Sequence, residues 1–138
     1  MNSTEDASFF AANSVVLIVE DNPVNMKLAK ILISSHFREI TLIEAENGEE
    51  AVEAFVKNSP DLILMDIQMP VMHGYEATRK IRQIEVEKGG HVPIIALTAS
   101  IIQDEIPNCK EAGMDDFLNK PIVKDQLFEK IRHWLSTK

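Results

Sequence analysis

Five short apolar runs punctuate the chain, and between them apolar positions recur at helical spacing. Val15-Val16-Leu17-Ile18-Val19 opens the pattern. A continuous β-branched run of this kind predicts a strand covered on both faces. Asn22 offers a helix cap with Pro23 in the first turn, and Val24, Leu28, Ile31 and Leu32 follow at helical intervals. Ile40 to Ala45 predicts a second strand. Asn47 and Glu50 have the spacing of a capping box ahead of Ala51, Ala54 and Phe55. Leu62 to Met65 predicts a third strand, and a loop with Pro70 and Gly74 leads to a helix carrying Ala77, Ile81 and Ile84. Pro93 to Leu97 predicts the fourth strand. A short helix follows, with Asp104 as its cap, Pro107 in its first turn and Gly113 at its end. Phe117-Leu118 predicts a short fifth strand, and Leu127, Ile131, Trp134 and Leu135 share one face of a last helix. Residues 1–14 are polar apart from Phe9-Phe10 and read as a flexible tail ahead of a single domain, 15–138.

Strand and helix thus alternate five times, which predicts a doubly wound (βα)5 parallel sheet with helices on both faces. Ligands in such sheets bind beyond the carboxyl ends of the strands, where strand order reverses. Glu20-Asp21 follows the first strand, Asp66 ends the third, Thr98 ends the fourth and Lys120-Pro121 follows the fifth. In the flavodoxin-like order 2-1-3-4-5, strands one and three are neighbours. Glu20, Asp21 and Asp66 would then meet, with Thr98 and Lys120 on the flank. Two carboxylates about 4 Å apart repel by roughly 4 kcal/mol at an effective dielectric near 20, so three require a counter-ion. Hard oxygen ligands suit Mg²⁺, with Mn²⁺ as a substitute, and Lys120 adds a second positive charge. A carboxylate held between a metal and a lysine is a usable nucleophile toward phosphorus, and the two cations can neutralise phosphoryl oxygens during in-line transfer.

Composition narrows the field further. Of 138 residues 45% are hydrophobic, enough for one ordinary core. With 22 acidic against 14 basic residues the net charge is −8, which argues against direct nucleic-acid binding. Cys109 is the single cysteine, so an intrachain disulfide and a cysteine metal cluster are excluded; a reducing, cytoplasmic setting fits. No apolar stretch approaches the roughly 18 residues of a membrane-spanning helix, and the amino terminus lacks a secretory pattern.

Four segments, VVLIVEDNPVNMKLAKILI, LILMDIQMPVMHGYEATRKIR, IIALTAS and GMDDFLNKPI, together resemble a response-regulator receiver domain, most of all the receivers of hybrid sensor histidine kinases. The resemblance covers about residues 15–136. It implies that Asp66 is the phosphoacceptor, that Asp21 and the backbone carbonyl of Gln68 bind Mg²⁺ directly beside Asp66, and that Glu20 assists through water. It further implies that Thr98 and Lys120 contact the phosphoryl group, that Phe117 is the aromatic switch residue, and that the bond before Pro121 is cis. The partners implied are a histidine kinase or histidine phosphotransfer protein, and a downstream protein docking on the fourth-helix, fifth-strand, fifth-helix face. The implied protein is a phosphorylated switch with slow self-dephosphorylation, not an enzyme.

Two readings compete. An aspartate-nucleophile phosphatase places its nucleophile after the first strand with a second Asp two residues on; here the third strand carries Asp66, followed two residues on by Gln68. A pseudo-receiver acting only as an interaction module should have lost a metal ligand, the phosphoacceptor or the lysine, and none is lost. Asn25 is typical of hybrid-kinase receivers but has no assigned chemistry. His73 stands where such loops commonly carry an acidic residue, and Pro107 should shorten the start of the fourth helix. His36, His73, His91 and His133 have no cysteine or acidic cluster around them and are expected at the surface.

Overall fold

The computed structural model describes residues 13–69, 72–99 and 105–136. Among them five strands, β1 (Val15–Val19), β2 (Thr41–Ala45), β3 (Leu62–Asp66), β4 (Ile94–Thr98) and β5 (Asp116–Asn119), alternate with five helices, α1 (Pro23–His36), α2 (Gly48–Asn58), α3 (Gly74–Lys88), α4 (Glu105–Ala112) and α5 (Lys124–Leu135). All strand pairs are parallel, and the sheet order is β2-β1-β3-β4-β5. This is the flavodoxin-like order expected from the alternation. Asp66 and Thr98 are the last residues of β3 and β4, so both side chains stand at the carboxyl edge.

Side-chain alternation along each strand splits the core in two. Val16, Ile18, Leu62, Leu64, Ile95 and Leu97 project to one face, where Met26, Ala29 and Ile33 of α1 and Leu127 and Ile131 of α5 cover them. Leu17, Val19, Ile63, Met65, Ile94 and Ala96 project to the other, against Ala51 of α2, Ala77 and Ile81 of α3 and Cys109 of α4. Strands buried on both faces need the continuous apolar runs seen in the sequence.

One helix turns a different face inward from the one its apolar spacing suggests. Val24, Leu28 and Ile31 of α1 are 74%, 45% and 55% exposed, while Met26, Ala29 and Ile33 are buried and Leu32, the fourth of the expected set, packs partly buried against the core. Both sets recur at helical spacing. The small Ala29 lets the buried set approach the sheet closely, and the larger set is left facing water.

The helix starts follow their caps. Asn22 Oδ1 accepts from the N–H groups of Val24 and Asn25 at 2.9 and 3.1 Å, and Pro23 occupies a position where no N–H is needed. Asn47 Oδ1 accepts from Glu50 N at 2.9 Å, but the Glu50 carboxylate accepts from Glu46 N, one residue earlier than a regular capping box. In α4, Pro107 is the third residue; first-turn N–H groups have no intrahelical acceptor, so the ring removes no helix bond. Pro70, Asp104 and tail residues 1–12 lie outside the described residues. Ser14 is fully buried, and its carbonyl accepts from Thr41 N at 2.9 Å.

At the amino edge of the sheet, Arg82 of α3 donates to Gly113 O, Val92 O, Glu85 and Asp115. Among the described residues, no buried side-chain polar atom lacks a partner, and no helix is long and apolar enough to cross a membrane.

Candidate functional site

Because β1 and β3 are adjacent, with Val19 opposite Met65, the residues that follow each strand meet at the carboxyl edge. Glu20 N donates to Ala45 O, Ile67 N to Leu97 O and Lys120 N to Thr98 O. These bonds carry the ladder one residue beyond the strands and fix the backbone under the site. Glu20, Asp21 and Asp66 each present an oxygen, all within 4.8 Å of one another. Lys120 Nζ lies 2.8 Å from Glu20 Oε1 and 3.1 Å from Asp66 Oδ2. Glu20 and Asp66 are buried and Asp21 is exposed, so the triad grades from the core to the mouth of a cleft of about 430 Å³. Asn25, Gln68, Thr98 and Ala99 line the same cleft. A depression of similar size, about 440 Å³, opens at the opposite edge beside Pro60, Gly89 and Gly90. Among the described residues, only the upper cleft gathers three potential metal-ligating side chains.

The protonation states follow from burial and pairing. Burial pushes Asp66 up, the neighbouring Glu20 adds to this, and Lys120 only partly offsets it, so the Asp66 carboxyl is raised to about 7. Burial works in the same direction on Glu20, but the Lys120 and Asp66 hydrogen bonds and the Lys120 charge outweigh it and hold Glu20 below the usual carboxylate range. Burial disfavours the Lys120 ammonium, and its bonds to Glu20 and Asp66 more than compensate, so it stays charged. One lysine thus balances one full carboxylate and part of another. The all-oxygen donor set fits a hard divalent cation, whose arrival would remove the remaining proton from Asp66.

Thr98 is buried at the end of β4. Phe117 pairs with Ala96, two residues before Thr98 on the neighbouring strand, which puts Phe117 and Thr98 on one face of the sheet with a small residue between them. Phe117 is half-buried, and Lys130 Nζ sits 5.5 Å from its ring centroid. Gln68 N donates to Asp66 Oδ1 at 3.3 Å, which folds the loop after β3 back onto the carboxylate. The Lys120-Pro121 bond is cis.

Other details were not foreseen. Asn25 lines the cleft; its place one turn after the acidic pair was the available signal. Asp116 accepts from Phe117 N, Lys130 Nζ and Trp134 Nε1, tying α5 to β5 beside Phe117. Burial acts to raise Asp116, and those donors hold it below its ordinary value. His73 caps α3, its Nδ1 accepting from Tyr75 N at 3.1 Å. His36 is not a free surface group. It stacks on Phe128 at 4.1 Å between centroids, with Arg132 at 3.2 Å.

Fold and site together define an α/β protein with an acidic, lysine-bridged cleft at the switch point of a doubly wound sheet. Residues 16–132 match the response regulator receiver domain, and the chain belongs to that family. It is 44% identical over 121 residues to hybrid signal transduction histidine kinase I of Dictyostelium discoideum, an alignment covering 84% of this chain and 7% of that kinase. The chain therefore spans a small part of that relative's length. The receiver domain of sensor histidine kinase PA1611 from Pseudomonas aeruginosa PAO1, with a magnesium ion coordinated in its active-site cleft, matches with a TM-score of 0.79 and 39% identity over 90% of this chain and 98% of that one. The receiver domain of Ssk1, solved with the histidine phosphotransfer protein Ypd1 of Saccharomyces cerevisiae, matches with a TM-score of 0.84 and 36% identity over 89% of each chain. The chain is thus a receiver domain of the two-component phosphorelay type.

Proposed function

We propose that Asp66 accepts a phosphoryl group from a phosphohistidine and that the resulting charge switches partner binding. The observation that carries this reading is the Lys120 ammonium bridging Asp66 and Glu20 at the strand ends. Asp21, Asp66 and the Gln68 carbonyl would hold Mg²⁺, with Glu20 acting through water. When bound, the ion supplies charge neutralisation for the phosphoryl oxygens. An Asp66 carboxylate oxygen attacks phosphorus in line as the bond to the donor imidazole nitrogen breaks, and the imidazole leaves neutral after taking a proton from solvent. Lys120 pairs with one phosphoryl oxygen, and the Thr98 hydroxyl donates to another. As Thr98 is drawn to the phosphoryl group it vacates space on the face it shares with Phe117, whose ring moves inward. Slow hydrolysis of the acyl phosphate resets the switch, so the domain works in a cytoplasmic relay as a timed signal and not as an enzyme.

The partner surfaces follow from what surrounds the cleft. A histidine reaching Asp66 must come on a protein that covers the mouth, and the exposed apolar set of α1, Val24, Leu28 and Ile31, flanks it. A helical histidine phosphotransfer protein or histidine kinase fits that stripe. The α4-β5-α5 face, which carries Phe117 and its Asp116-Lys130-Trp134 tie, is proposed as the output surface for a downstream protein.

Incubation with acetyl phosphate and Mg²⁺, followed by borohydride trapping and mass spectrometry, should place the label on Asp66. A label elsewhere, or none with metal supplied, would sink the assignment. Leu28→Asp should leave folding and acetyl phosphate labelling unchanged, since an exposed substitution of this kind costs about 0.5 kcal/mol or less. It should slow transfer from a phosphorylated histidine phosphotransfer protein by about tenfold or more, the loss expected of a central apolar contact. Unchanged transfer kinetics would place the docking surface elsewhere.

A further inference from the structure

Gly48 is the first residue of α2, directly after the Asn47 cap. A Cβ there would lie 2.5 Å from the carbonyl oxygen of Met72, 2.7 Å from its Cβ and 2.8 Å from its Cγ. No side chain fits at that distance, so the first turn of α2 rests directly on the backbone of the β3-α3 loop. That loop leaves Asp66 and closes at Gly74, whose N–H donates to Ile67 O at 2.8 Å. A Cβ at Gly74 would lie 2.5 Å from Asp66 O. Met72 stands two residues before Gly74, Gly74 is bonded to Ile67, and Gln68 follows Ile67 beside Asp66, so a push at Met72 reaches Gln68 through that bond.

We propose that Gly48 is a positioning residue for the phosphoryl site: by admitting Met72 against α2 it sets where the loop carries the Gln68 carbonyl. The inference rests on the reading of Asp21, Asp66 and Gln68 as the metal ligands. Which partner yields to an added methyl group is decided by anchoring. The α2 helix is held by the fully buried Ala51 and by the Asn47-Glu50 cap, whereas Met72 belongs to a loop. The loop therefore moves, and the ligand set loosens. Within a helix a Gly-to-Ala change is otherwise favourable, because alanine has less backbone freedom to lose. A loss of function thus identifies the steric contact and not helix propensity.

The test titrates Mg²⁺ calorimetrically into the wild-type chain, Gly48→Ala, Met72→Gly and the double variant, with thermal unfolding in EDTA and amide shifts of Ile67 and Gln68 recorded for each. Gly48→Ala should weaken Mg²⁺ by about tenfold, as losses of ligand-orienting partners do, and should displace the Gln68 amide resonance. Adding Met72→Gly removes two of the three close atoms and should recover part of the affinity. Unchanged Mg²⁺ affinity in a folded Gly48→Ala overturns the proposal, since a purely structural glycine would move only the unfolding temperature. If Gly48→Ala does not fold, the double variant carries the test. It should bind Mg²⁺ less tightly than Met72→Gly alone, because the carbonyl contact persists, and equal affinities overturn the proposal. A wild-type chain that binds no Mg²⁺ overturns the ligand reading itself, a distinguishable failure.

Discussion

Asp66→Asn is expected to take up no phosphoryl group and, in metal-free buffer, to be more stable than the wild-type protein. The carboxyl is raised from 3.8 to about 7 by burial and by Glu20. The unfolded chain releases this proton near its ordinary value, while the folded chain resists until about 7. The wild type therefore loses stability as pH rises through that window, and the amide, which does not titrate, does not. The gap should be small near pH 4 and widen to at most about 4 kcal/mol above pH 7. Adding Mg²⁺ should narrow it by stabilising the wild type through binding. Urea unfolding in EDTA across this pH range checks the sign; a gap that fails to widen would mean that Asp66 ionises without cost. Function here opposes stability, as it often does in sites that gather like charges.

Lys120→Met is expected to give the largest loss of stability of any single change at the site. The ammonium is the one cation within ion-pair distance of both buried carboxylates among the described residues. Removing one partner of a buried ionic cluster leaves charge uncompensated, at a cost of about 3 kcal/mol. Mg²⁺ should recover part of that loss, and Glu20→Gln added to Lys120→Met should recover part of it without metal. Denaturation of the single and double variants in EDTA decides this. Additive losses would show that Glu20 and Lys120 do not depend on each other. Acetyl phosphate labelling of Lys120→Met in Mg²⁺ should persist at a reduced level, since Asp66 remains, while the shifts around Phe117 on adding beryllofluoride should fade.

Much of this was legible in the sequence because a buried parallel sheet leaves a loud pattern. Continuous apolar runs such as Leu62 to Met65 located every strand to within one residue of its observed ends, and strand ends are where such folds place chemistry. Chain order then brought Glu20, Asp21, Asp66 and Lys120 together without knowledge of a single contact. What escaped was information that depends on three-dimensional choice. Apolar spacing along α1 supports two inward faces, and only packing against the sheet selects Met26, Ala29 and Ile33 over Val24, Leu28 and Ile31. His36 carries no sequence signal for its stack on Phe128, because the partner lies on α5. Gly48 looked like an ordinary residue after a cap, and nothing nearby in sequence announces Met72.

The ion pair between positions 20 and 120 joins the loop after β1 to the loop after β5. With β1 and β3 paired but β5 detached, three acidic groups would stand together without the ammonium that neutralises them. Completing the cleft therefore needs a contact between distant parts of the sequence, the kind that forms slowly. A protein that recognised the assembled cleft would accordingly pass over copies in which β5 is detached, because the Lys120 charge is then missing from it.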